Sequence, residues 1–264
     1  MPPSSTTSAR PPALVFGLTE PSRALAELGW FMGARAWLAT QFSGDGRPVL
    51  VIPGLSAGDW STRPLRGLLR QVGYTPYEWG LGTNIGPTPQ AIAGLDALIT
   101  TIRERHDQPV SVIGQSLGGY LGAELARRNP GAVDRLITLG SPMTMTDLRQ
   151  SRAGAEYAKH YGRHLSGYDF ETWRRAPRPE IPSTSVFSRS DGIVHWSACR
   201  YPEDASTSNL TENVEVLSSH IGMAVHPAAV YAALDRLAAP LEDWQRFTPP
   251  AWLAGYFPSA LRAA

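Results

Sequence analysis

The sequence predicts an α/β fold: a mostly parallel sheet of about six strands covered by helices on both faces. Three observations carry that expectation. From Arg47 to Ala238, short continuous apolar runs rich in Val, Ile and Leu alternate with helical patterns, as in parallel strands buried on both sides. One run, starting at Val110, ends in Gly114-Gln115-Ser116-Leu117-Gly118 and passes at once into an alanine-containing helical pattern reaching Asn129. The chain has 264 residues, 42% of them hydrophobic, and shows no linker, so it should form one large domain rather than two small ones.

Taken in order, Met1–Pro12 is rich in Pro, Ser and Thr and reads as disordered. The ordered domain is expected to begin at Pro21, leaving 1–20 as a disordered segment and 21–264 as the single domain. Pro21 to Phe42 reads as a helix opened by its proline, with Leu25, Leu28, Trp30, Phe31, Met32, Trp37 and Leu38 on a wide apolar face. That face should dock on the domain, with a membrane surface or a second copy of the chain as the alternative use of residues 21–42. Strands follow at Pro48–Pro53, Tyr74–Trp79, Val110 into Gly114, Val133–Leu139, Ser183–Ser188 and Val214–Leu217. The intervening helices are Pro64–Val72, Thr88–His106 and the pattern to Asn129, and Pro227–Ala238 closes the series.

One interval breaks the alternation. Residues 142–182 contain no strand pattern but carry Tyr157, Tyr168, Phe170 and Trp173, which suggests a helical cap over the carboxyl edge of the sheet. The aromatic tail from Pro240 should wrap the surface or meet a partner.

Composition excludes several classes of function. Twenty-four basic and 23 acidic residues leave a net charge of +1 without a basic stripe, so nucleic acid is not an expected partner. Cys199 is the only cysteine, which removes intramolecular disulfides and cysteine-based zinc patterns. No metal or cofactor is expected. The first residues lack a charged start followed by an unbroken apolar stretch, so the expected location is the cytoplasm.

Ser116 occupies the bend between a strand and a helix. Gly114 and Gly118, two before and two after, would let the strand and helix approach closely enough to make so sharp a turn. The following helix aims its free N–H groups and positive dipole end at the same point. A serine becomes a nucleophile only when a base takes its proton and a third group orients that base. Downstream, Asp191 follows the strand Ser183–Ser188 and His220 follows the last strand, both on the sheet edge that carries Ser116. Glu203 and Asp204 are weaker acids for this purpose. His195 is too near Asp191 along the chain to swing back as its partner, and His226 precedes Pro227 as a helix-opening residue. Two N–H donors for an oxyanion are expected from Leu117, after the serine, and Leu55, in the small-residue turn after the first strand.

These residues resemble the α/β-hydrolase fold and, within it, bacterial lipases and esterases. The likeness rests on Pro53-Gly54-Leu55, Gly114-Gln115-Ser116-Leu117-Gly118-Gly119 with Leu125-Ala126-Arg127-Arg128, Leu139-Gly140-Ser141-Pro142, Asp191-Gly192-Ile193-Val194 and Ser219-His220. Gly80 to Pro87 also looks like a segment of lipases of this kind. The resemblance implies a three-layer α/β/α hydrolase and a serine carboxylic-ester hydrolase, with nucleophile Ser116, acid Asp191 and base His220. The aromatic cap favours hydrophobic acyl esters as the small-molecule substrate. Many relatives have His-Gly where this chain has Pro53-Gly54. A thioesterase, lactonase or acyltransferase could use the same triad, and a non-catalytic hydrolase-like binding protein could share the fold.

Overall fold

The computed structural model describes residues 10–164, 180–202 and 210–258. Its elements are α1 Leu14–Gln41, β1 Pro48–Ile52, α2 Asp59–Val72, β2 Thr75–Glu78, α3 Pro89–His106, β3 Val110–Gln115, α4 Leu117–Arg128, β4 Val133–Leu139, α5 Gly154–His164, β5 Ser183–Phe187, α6 Trp196–Cys199, β6 Thr211–Glu215 and α7 Pro227–Ala238. The six strands form one sheet in the order β2-β1-β3-β4-β5-β6. Every pairing is parallel.

Strand alternation explains the layering. In β1, Val49 and Val51 join a core with α1, α2 and α7 through Phe31, Leu65, Leu68 and Ala229. Leu50 and Ile52 face the other way, into a core with α3 and α4 through Leu95, Ile99 and Leu121. The sheet is therefore buried on both faces, which parallel strands require. The chain runs from β1 outward to β2 and then returns to β3 on the other side of β1. Such a reversal opens a crevice at the carboxyl ends of the central strands, where open α/β sheets place ligands.

Several expected boundaries move. The first helix begins at Leu14, so Leu14–Glu20, expected to be disordered, is ordered, and Pro21 lies inside α1. α2 likewise begins before its proline, with Pro64 internal. A proline inside a helix costs one backbone hydrogen bond and some strain, and other anchoring offsets it here. In α2 the opening turn is tied down by Thr62 Oγ1 and Arg66 Nη2, both donating to the Asp59 carbonyl, while the Asp59 carboxylate accepts the Trp79 and Gly80 N–H groups. In α1 the anchor is Glu20, whose contacts are described below. The last strand is Thr211–Glu215 rather than Val214–Leu217. Its polar residues are paired individually, Glu212 with Thr184 and Asn213 with the Tyr201 backbone, so an apolar run is not needed to bury them.

Within 142–182, the described helices are a 3-10 turn at Leu148–Gln150 and α5, and Tyr157 packs into the α3–α4 core. Tyr168, Phe170 and Trp173 lie outside the described residues, as do Glu203 and Asp204. The tail folds back onto α1 and α7: Trp252 meets Trp37 edge-on at 5.6 Å, and Leu253 and Phe257 are buried. No described helix is long and apolar enough to cross a membrane.

Candidate active site

The bend after β3 holds Ser116 at φ 51° and ψ −122°, a left-handed conformation that places its hydroxyl above the sheet edge. Glycine is sterically required around it. A Cβ on Gly114 would lie 2.3 Å from Gly119 Cα, one on Gly118 would lie 2.3 Å from the Ile52 carbonyl oxygen, and one on Gly119 would strike Ser141 Oγ at 2.1 Å. The Ser116 N–H is fixed by the Leu139 carbonyl at 2.8 Å.

Asp191 and His220 come to this point from the ends of β5 and β6. His220 Nε2 is 2.9 Å from Ser116 Oγ, and its Nδ1 is 2.6 Å from Asp191 Oδ2. An ionised Asp191 can only accept, so Nδ1–H donates to it and Nε2 is left to accept the serine hydroxyl. The other carboxylate oxygen, Oδ1, accepts the N–H groups of Ile193 and Val194 at 2.8 and 2.7 Å. Both residues are buried. Burial alone would push the imidazole down, but the charge and hydrogen bond of Asp191, with the charge of Glu20, outweigh it and hold His220 above its ordinary pKa. The backbone at Gly140, φ 62°, passes directly behind the pair, and a Cβ there would meet His220 Nδ1 at 3.1 Å.

The turn after β1 lies against the serine: a Cβ on Gly54 would approach Ser116 Cβ to 3.2 Å. Leu55 lines the cavity beside Ser116. Asn84, buried in the segment Gly80–Pro87, shapes this turn by donating to the Pro53 carbonyl at 2.7 Å while its own carbonyl accepts the Ser56 N–H at 2.7 Å. Leu117 is the first residue of α4, so its N–H has no acceptor within the helix.

Sequence reasoning thus finds three residues that the fold brings together, and of the two expected donor residues Leu55 lines the cavity and Leu117 opens α4. It misses the supports. Gln115 Nε2 donates to the carbonyls of His220 and Ile221 at 3.3 and 3.1 Å, tying the histidine loop to the serine bend. Ser188 Oγ accepts the Ser218 N–H at 3.1 Å and joins the acid and histidine loops. Two carboxylates of α1, Glu20 and Glu27, are buried against the same loops. Burial raises the Glu27 carboxyl above its usual range despite hydrogen bonds from Ser219 and Ser218. His195 caps α6 through Ser197, and His226 opens α7, so neither joins the site.

The cavity in front of Ser116 has a volume of about 680 Å³ and is walled mainly by apolar groups, among them Ala24 and Leu28 of α1, Pro64 of α2, Ile193 and Val225. Its size suits a small organic molecule.

Among solved structures, the chain is similar to Aspergillus fumigatus lipase B, with 18% identity and a TM-score of 0.54 over 75% of this chain and 54% of that one. It therefore spans about half the length of that lipase, matching 54% of it. Rv0554 from Mycobacterium tuberculosis shares 19% identity, with a TM-score of 0.53 over 74% of this chain and 90% of that one. A monoacylglycerol lipase from Paleococcus ferrophilus shares 16%, with a TM-score of 0.51 over 74% and 97%. At such identities the likeness shows the fold alone. No curated protein sequence matches the chain. The profile of the "Alpha/beta hydrolase family" matches residues 49–260. With the parallel sheet and its crevice in agreement, the chain belongs to the alpha/beta hydrolase family.

Proposed function

We propose that the chain is a serine carboxylic-ester hydrolase that cleaves esters of hydrophobic acids. The observation that carries this reading is the continuous hydrogen-bonded line Ser116 Oγ–His220 Nε2, His220 Nδ1–Asp191 Oδ2, at 2.9 and 2.6 Å, opening on an apolar cavity.

In this reading Ser116 Oγ attacks the ester carbonyl while its proton passes to His220 Nε2. Asp191 holds the ring in the right tautomer and faces the imidazolium that forms. The carbonyl oxygen, now negative, is met by the Leu117 and Leu55 N–H groups. Collapse expels the alcohol, which takes the proton from His220, and leaves the acid joined to Ser116. Water then attacks the acyl-enzyme as its proton passes to His220, and collapse releases the acid while His220 returns that proton to Ser116 Oγ. The mostly apolar cavity wall favours an aliphatic or aromatic acyl group over a charged one, since desolvating a charge against apolar surface is costly.

The test is hydrolysis of p-nitrophenyl esters from acetyl to palmitoyl by the native protein and by Ser116→Ala. The expected result is a chain-length optimum in the native protein and a loss of about a thousandfold or more in kcat for the variant. Equal activity in both would remove Ser116 as nucleophile. If both are inert on every ester, the carboxylesterase reading fails, and thioesters and lactones become the substrates to measure.

A further inference from the structure

The loops that carry Asp191 and His220 are gripped from one side by α1, a helix that lies ahead of the residues matched by the family profile. Glu20 is 1% exposed. Its Oε1 accepts the N–H groups of Gly192 at 2.8 Å and His220 at 2.9 Å, and its Oε2 accepts that of Ile221 at 3.0 Å. Arg23 Nη2 pairs with Oε1 at 2.9 Å. Glu27 lies two turns further along and so on the same face. It accepts the Ser219 N–H at 2.7 Å, the Ser219 hydroxyl at 2.5 Å and the Ser218 hydroxyl at 3.3 Å. Between the two carboxylates, Ala24 lines the cavity.

The fit is close enough to demand glycine on the loops. A Cβ on Gly192 would lie 2.4 Å from the Phe16 carbonyl carbon, and one on Gly222 would lie 1.8 Å from Glu27 Oε2 and 3.0 Å from Ala24 Cα. A buried carboxylate is expensive unless donors surround it, and here the donors are backbone groups of the two loops that must stay in register. One carboxylate bonded to the residue after the acid and to the base itself fixes the distance between those loops. No surface role explains an acidic residue bonded in this way.

We propose that Glu20, supported by Glu27, is a positioning residue whose carboxylate staples the acid and histidine loops together and so sets the His220–Asp191 geometry on which attack by Ser116 depends. The proposal rests on the serine hydrolase reading above and adds a part of the site contributed by the amino-terminal helix. The charged groups facing the imidazole are Asp191 and Glu20, with Arg23 paired to Glu20 and Glu27 held at the adjacent Ser219. Glu20 therefore also faces the imidazolium that forms during acylation.

The experiment compares the full chain with Glu20→Gln, Glu20→Asp and Glu27→Gln. It follows p-nitrophenyl butyrate hydrolysis from about pH 5 to 9 and titrates the His220 imidazole by NMR without substrate. Glu20→Gln keeps the shape and one acceptor oxygen but loses the charge and the second acceptor, setting an NH2 against a backbone N–H. It should lower kcat about tenfold to a hundredfold with KM changed less than about twofold, since misplacing a base affects the chemical step more than binding. The acid limb of the rate profile and the His220 titration should both move to lower pH. Glu20→Asp keeps the charge and withdraws the carboxylate, so kcat should fall while the titration moves less than in Glu20→Gln. Glu27→Gln should lower kcat by a smaller factor. A wild-type kcat and an unmoved His220 titration in Glu20→Gln would overturn the proposal, whatever happens to Tm. If the native protein hydrolyses no ester, the enzymatic reading fails. The substrate-free titration then decides the staple by itself: movement in Glu20→Gln supports it, and an unmoved titration overturns it.

Discussion

A residue other than glycine at φ 51°, as Ser116 is, stores strain of about 1–3 kcal/mol that the rest of the bend must offset. The offset is visible in the glycines on either side, each seated against backbone. Gly140 is a further such position, because a methyl there meets both a positive φ and the His220 ring. Gly140→Ala is expected to destabilise the fold by about 1–2 kcal/mol. It should also lower kcat by displacing the imidazole, and denaturant unfolding together with ester kinetics would measure the two effects. The raised pKa of His220 gives a second outcome at this scale. The base must be neutral to accept the serine proton, so kcat/KM should fall on the acid side, with its midpoint above the ordinary imidazole value of 6.5. A pH–rate profile on a short-chain ester checks it, and a midpoint below 6.5 would contradict the geometry. Ser116, Asp191 and His220 were readable from sequence because each lies in the bend or loop after a strand and their order was informative. Glu20, Glu27, Gln115 and Asn84 were not, because their partners are backbone groups remote in sequence, and a carboxylate on an amphipathic helix reads as solvated.

At the level of elements, α1 departs furthest from expectation. Its proline suggested a start at residue 21, yet the helix continues back to Leu14, held at Glu20 by donors that only the folded loops supply. Helix-start rules describe local preference, and tertiary contacts overrode them here and at Pro64. β6 was displaced for a related reason: hydrophobicity placed it late, while paired polar side chains define where it begins. The docking of α1 was readable in part: Phe31 and Leu38 are fully buried and Leu28 and Trp37 pack beside them, whereas Leu25, Trp30 and Met32, expected on the same face, remain exposed. Phe31→Ala should cost about 3–5 kcal/mol, measured by urea unfolding. Because the same helix carries Glu20, activity should be lost at lower urea than the far-ultraviolet signal of the whole fold.

Across the whole molecule, the two cores on either side of the sheet were legible from the alternation of strand and helix, but the seam between α1 and α7 was not. His226 sits in that seam, with the Trp30 ring edge-on at 5.0 Å. Its Nδ1 has no hydrogen-bond partner among the described residues. Burial pushes its pKa down to about 4 from 6.5. The unfolded chain therefore binds a proton near pH 6.5 that the folded protein takes up only near pH 4. Stability from this group is complete above that window and is lost as pH falls through it, by about 3 kcal/mol. His226→Phe should lose less stability than the native protein between pH 7 and pH 4, as urea unfolding at both values would show.

The bond from the His220 N–H to Glu20 joins residues 200 apart in sequence. Ribosomal synthesis delivers α1 early and the histidine loop late, and contacts of such long separation close after local ones. A growing chain thus carries Ser116 through the synthesis of 104 further residues (220 − 116) before His220 is in place. On the proposed serine hydrolase reading, a copy in which α1 and the histidine loop have not yet met should not attack the esters around it.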